Sequence, residues 1–360
     1  MRKRFSFLLL LLILVIAFLS PAILAKDKLT IITWPTYLAP ELLSDFENEY
    51  NVKVELLTYD KPTEIVNKIM GDERNYDLII NNPVVMYKLI NAGKLAKLDK
   101  KLLPNSKNLD PIFMHLDHDP QNLYTLPYHY LPMGLMFNAD KYNKEDISLQ
   151  MYFEPPPELK GKISIYPDKR LQIGLALKYL GKSLNSRKPE DLRSVKLLLE
   201  NLKKNSTEEL ADMERRHYQV AHEIDDRKAD LGTWYYTSAD LSLMGLEKNY
   251  GMKFPEEGTK LGMDLFGVLK GARNKELAHK FINYFYVPEN AAKSVRYITY
   301  PVAVLGTRDN LSPEMAEKIY LPLNILAKSE FYEILSPEEE KIYDQLWNEV
   351  FCNQNYMEIK

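Results

Sequence analysis

Six side chains stand where predicted strands stop, and their types suit the capture of an organic cation. Trp34 and Tyr37 follow the apolar run Leu29–Thr33, and Asp168 follows Ile163–Tyr166. Tyr235 ends the run 229–236, Asp264 begins a later strand, and Tyr300 precedes Pro301. A carboxylate gives an ammonium a charge-assisted hydrogen bond, and an aromatic face attracts it through the ring quadrupole. Strand ends are also where open α/β sheets place their ligands. Each residue has a plainer reading as well: Asp suits a turn or helix N-cap, and Tyr or Trp suits packing.

Other chemistry-bearing patterns are weak. Gly181-Lys182-Ser183 resembles the end of a phosphate loop, but Ala176 stands at the required upstream glycine and the segment reads as helix. His115, Asp117, His118 and Asp119 have metal-capable side chains in a short stretch before Pro120, which reads better as a solvated loop than as a hydrolytic metal centre. His217 and His222 are not spaced to share a helix face, and there is no HExxH, GxSxG or GxGxxG. The single cysteine, Cys352, excludes an intramolecular disulfide and has no histidine near it in sequence. The expectation is a binding protein, not an enzyme, with no metal and no cofactor.

The elements that must position these residues alternate. Leu29–Thr33, Val52–Leu56 and Asp77–Ile80 read as strands, and Pro40–Tyr50, Pro62–Met70 and Val84–Ala92 as helices between and after them. That order predicts a parallel sheet with right-handed crossovers. Residues 102–130, broken by prolines, read as loop, and Pro132–Asn138 as a strand crossing to a second lobe. There the alternation restarts with Lys162–Tyr166, Leu171–Leu180, Pro189–Lys203 and Ala229–Tyr236. Met263–Leu269 reads as a return strand, followed by helix Lys275–Tyr286 and another from Pro288. The expected fold is α/β with two lobes, each a central sheet flanked by helices. The first lobe is 26–137 plus 266–304 and the second 138–265 plus 305–360, with a cleft between them suited to a small molecule.

The chain has 360 residues, 46% of them hydrophobic and 27% charged, which fits two globular domains. A net charge of −3 gives no footprint for nucleic acid. Arg2, Lys3 and Arg4, the apolar run Phe7–Leu19 and a small-residue stretch ending at Ala25 have the layout of a secretory signal, residues 1–25. Its removal takes three positive charges and no acid from the net of −3, leaving −6.

Several fragments in order resemble the periplasmic spermidine/putrescine-binding proteins of ABC transporters, within the type II extracellular solute-binding protein family. They are Trp34-Pro-Thr-Tyr37, Tyr76-Asp-Leu-Ile-Ile80, Leu126-Pro-Tyr128 with Gly134–Asn138, Leu231-Gly232, Pro255-x-Glu257-Gly258 with Met263-Asp264, and Tyr300-Pro301. The resemblance implies a monomeric periplasmic protein that binds a polyamine such as putrescine or spermidine and hands it to a membrane permease. It further implies that Trp34 and Tyr37 pack on the ligand's methylenes, that Asp264 and Asp168 hold its amine ends, and that Tyr235 and Tyr300 complete the wall. An amine-sensing subunit of a signalling system is the alternative that the resemblance leaves open. Three positions depart from the pattern: Leu171 replaces a ligand-binding Glu, Gly262 a Trp, and Val84 a Tyr, while Tyr332 falls near a polar C-terminal contact.

Overall fold

The computed structural model describes residues 27–59, 62–207, 223–224, 228–235 and 250–352. The expected signal segment, His217, His222 and Tyr236 lie outside them. Nine strands form one mixed sheet: β1 (Lys28–Thr33), β2 (Lys53–Thr58), β3 (Leu78–Asn81), β4 (Thr125–Asn138), β5 (Ile163–Ser164), β6 (Leu231–Tyr235), β7 (Tyr250–Lys253), β8 (Lys260–Val268) and β9 (Glu330–Phe331). Their order is β2-β1-β3-β8-β4-β6-β5, with β7 on β4 and β9 on β8.

The parallel β2-β1-β3 unit follows from its sequence. Leu29, Ile31 and Ile32 are buried, so β1 carries apolar residues on both faces, and helices return the chain between strands. Helix Pro40–Tyr50 begins with proline at its first turn, buries Leu42 and Phe46 one turn apart, and ends at Asn51 in the left-handed conformation. Two hydrophobic cores result, one for each lobe.

β4 joins the lobes, and β8 brings the chain back into the first core with Leu261, Met263, Leu265, Phe266 and Val268. Residues 125–132 of β4 pair antiparallel with β8, whereas Met133–Phe137 pair with β6 and Leu135–Asn138 with β7. Leu126, Tyr128 and Tyr130 belong to the first core, and Met133, Leu135, Met136 and Phe137 to the second. The crossing therefore lies between 130 and 133, before the boundary at 137 read from the sequence. Ile319, Tyr320, Leu321 and Ile325 pack in the first core, although 305–360 reads as second lobe; only Tyr343, Leu346 and Val350 of that stretch are buried in the second.

Residues 125–130 are strand, not the loop that Pro127 suggests. Between the pairs Pro127–Leu265 and Tyr130–Met263, Tyr128 and His129 stand against the single residue Asp264. This bulge accommodates proline, which is tolerated where ladder bonds are interrupted.

The acidic stretch before β4 is a structural knot. Asp119 accepts from the backbone N–H groups of Leu123 (3.0 Å), Tyr124 (2.7 Å) and Thr125 (2.9 Å), and from Thr125 Oγ1 (3.1 Å). His118 is buried, with Nε2 3.2 Å from Thr125 Oγ1, and burial pushes its imidazole down to about 4. Among the described residues no three His, Cys, Asp or Glu side chains converge to hold a metal ion. Asp119→Ala strands three backbone donors, so urea denaturation should show a loss of about 3 kcal/mol. A loss under about 0.5 kcal/mol, the range of ordinary surface substitutions, would deny Asp119 this role.

Candidate functional site

The end of β1 builds the first wall. Pro35 has no N–H to continue the ladder. Thr36 takes a left-handed conformation (φ 54°), which turns Tyr37 back into the protein. Trp34 is half-buried and packs on Tyr59, with ring centroids 4.7 Å apart. Tyr59 is fixed in turn, accepting from Asn81 Nδ2 (2.5 Å) and donating to the Ile80 carbonyl (3.3 Å).

Tyr37 donates a short hydrogen bond to Asp264 Oδ2. Asp264 is 6% exposed, and Oδ1 has no hydrogen-bond partner among the described residues. Burial pushes this carboxyl up from 3.8 to about 6, opposed by the Tyr37 hydrogen bond and by the charge of Lys260. Burial and the neighbouring Asp264 carboxylate together push the Tyr37 hydroxyl upward, so it remains a donor. Tyr59 is raised by the same two causes.

Behind this pair sits a network with no signal in the sequence. Tyr128 donates to the Tyr37 carbonyl (2.6 Å), and Ser294 Oγ lies 3.0 Å from both the Tyr128 hydroxyl and His129 Nε2. Burial pushes His129 down to about 3, so the imidazole is neutral at pH 7. The Tyr300 ring stands edge-on to His129, 6.3 Å away, and Tyr300 is close enough to Tyr37 to raise its hydroxyl. Trp34, Tyr37, Asp264 and Tyr300 are thus brought together, with Tyr59 and His129 as members that sequence reasoning missed.

The other two predicted residues belong to a second group. Asp168 caps helix Lys169–Tyr179: its Oδ1 accepts from the backbone N–H groups of Arg170 (2.9 Å) and Leu171 (3.1 Å). Tyr235 ends β6 and packs edge-on to Tyr166, centroids 5.7 Å apart. Both residues interact electrostatically with Tyr332, which follows β9. Lys260 links the two groups, since its charge acts on Asp264 while its Nζ lies 3.3 Å from the Tyr235 hydroxyl. The departures sort differently. Leu171 is 1% exposed in the second core, Val84 is exposed at the start of helix Pro83–Asn91, and Gly262 lies on β8 between Lys260 and Asp264.

A buried acid and converging rings beside a strand shared by two cores suit a ligand that is held, and a family profile described as "Bacterial extracellular solute-binding protein" matches residues 41–319. The chain belongs to that family. This solute-binding protein is 27% identical over 347 residues to the putrescine-binding periplasmic protein PotF of Escherichia coli, covering 90% of this chain and 91% of the relative. It is 25% identical to the putrescine/cadaverine-binding protein of Pseudomonas aeruginosa, covering 91% and 94%. Among solved structures, PotD of Streptococcus pneumoniae, a spermidine/putrescine ABC transporter substrate-binding protein, superposes with a TM-score of 0.81 at 25% identity, covering 90% of this chain and 98% of that one. No helix among the described residues is long and apolar enough to cross a membrane.

The raised carboxyl of Asp264 has a consequence for stability. A carboxyl raised on folding stabilises the folded state fully below its ordinary 3.8 and loses that contribution as pH rises through about 6. Asp264→Asn, which still accepts from Tyr37, should therefore gain on the unliganded wild type by on the order of 2 kcal/mol between pH 4 and pH 7. Thermal melts across that range check this; a pH-independent difference would mean that Asp264 titrates normally.

Proposed function

We propose that this solute-binding protein captures a small organic amine of the polyamine class, such as putrescine or spermidine, between its lobes and delivers it to the permease of an ABC transporter. The observation that carries the reading is the buried Asp264 carboxylate, steadied by Tyr37 at one oxygen, beside the rings of Trp34, Tyr59 and Tyr300. An ammonium at Oδ1 replaces solvation that burial has removed, and the rings cover the methylenes. Asp168 and Tyr235 supply the facing wall. The polyamine-binding relatives support the same class.

Capture requires no bond to be made or broken. Binding shifts the protein toward a closed form by bending at the β4 crossing, and the permease reads that form. The protein is exported by its first 25 residues, acts in the periplasm as a monomer, and works without cofactor or metal.

Isothermal calorimetry with putrescine, cadaverine, spermidine and N-acetylputrescine tests the reading. At least one should bind with Kd below about 100 μM, equivalent to roughly 5.5 kcal/mol, and Asp264→Asn should weaken it tenfold or more. Binding of none, or undiminished binding by Asp264→Asn, would refute the assignment.

A further inference from the structure

Lys260, Gly262 and Asp264 alternate along β8 and so share one face of the strand. At about 3.3 Å per residue, Lys260 and Asp264 start about 13 Å apart. Gly262 leaves an open trough between them, and the lysine lies in it. A Cβ at Gly262 would stand 3.2 Å from Lys260 Nζ and 3.2 Å from the Leu131 carbonyl oxygen. Lys260 is 9% exposed, with Nζ 4.9 Å from the Tyr235 ring centroid and 5.4 Å from that of Tyr332. It makes no salt bridge to a carboxylate among the described residues, and its one hydrogen bond is to the Tyr235 hydroxyl at 3.3 Å. The Tyr332 hydroxyl beside it is shielded from solvent and has no hydrogen-bond partner among the described residues.

The site is therefore asymmetric. One end has a buried carboxylate; the other has a fixed cation held by two ring faces and an unpartnered donor. Counting Asp264 and Asp168 against Lys260 and Arg170, whose guanidinium lies 4.2 Å from the Tyr332 ring centroid, the side chains sum to zero. A second ammonium placed there meets like-charge repulsion from Lys260 and from Arg170, both of which face the Tyr332 ring.

We infer that Lys260 sets the ligand class: the bound amine presents one ammonium to Asp264 and a hydrogen-bond-accepting end without positive charge to Lys260, as a diamine acylated at one nitrogen does. This rests on the assignment of Asp264 as the ammonium acceptor. The amide oxygen accepts from Nζ, which itself lies over Gly262, and the methylenes run from there toward Asp264.

Calorimetry with putrescine, spermidine and N-acetylputrescine on the wild type, Lys260→Met, Lys260→Arg and Asp264→Asn tests this. The wild type should bind N-acetylputrescine at least tenfold more tightly than either unmasked amine. Lys260→Met, which keeps the stem in the trough without its charge, should reverse that order, and Lys260→Arg should retain it. Preference of the wild type for putrescine or spermidine overturns the inference, as does an order unchanged in Lys260→Met. If Asp264→Asn still abolishes binding in those cases, the amine reading stands alone. If no amine binds the wild type, both fall together.

Discussion

A carboxylate buried where two lobes share a strand is the constraint on which the rest of this structure depends. Asp264 stands opposite the β4 bulge, so the single residue on β8 meets two on β4, and the extra residue brings His129 and Tyr128 behind Tyr37. Burial disfavours the charged acid, and one phenolic hydrogen bond offsets only part of that cost. In the proposed function a ligand cation supplies the remainder. The residues that hold Asp264 are themselves held by backbone: Tyr37 is turned inward at Thr36, and Tyr128 is fastened to the Tyr37 carbonyl.

The same strands explain how capture couples to shape. β4 gives Leu126, Tyr128 and Tyr130 to one core and Met133 to Phe137 to the other, so Leu131 and Pro132 are where a bend would leave both cores packed. β8, packed in the first core, holds Asp264 and Lys260 beside this region. A molecule that bridges the Asp264 group and the Tyr235 group gains contacts only when the lobes approach, which is the differential affinity that a population shift requires.

Much of this was legible in the sequence because its signals are local. Helix Pro40–Tyr50 has its proline start and apolar stripe, and the buried runs of β1 and β3 differ from the helical pattern around them. The clustering of Trp34, Tyr37, Asp264 and Tyr300 followed from strand ends and from the resemblance. Residues 125–130 were misread because proline removes ladder donors in general, while a bulge that makes the loss harmless leaves no sequence mark. Leu171 looked like a missing ligand contact, yet its side chain faces the second core, because the Asp168 cap fixes where the helix begins. Lys260 could have been found: period-two alternation puts it on the face of Asp264, with a glycine between them. His129 could not, since its surroundings come from residues 37, 294 and 300, far apart in the chain.

The central claim is that Asp264 is the group that receives the amine, and its own titration tests this most directly. In protein carrying carbon-13-labelled aspartate, with Asp264→Asn to assign the signal, the carboxyl resonance of the unliganded protein should titrate near 6. With saturating N-acetylputrescine or putrescine it should fall to about 4 or below, because an adjacent ammonium favours the charged form. A midpoint unchanged by a bound amine would contradict the account.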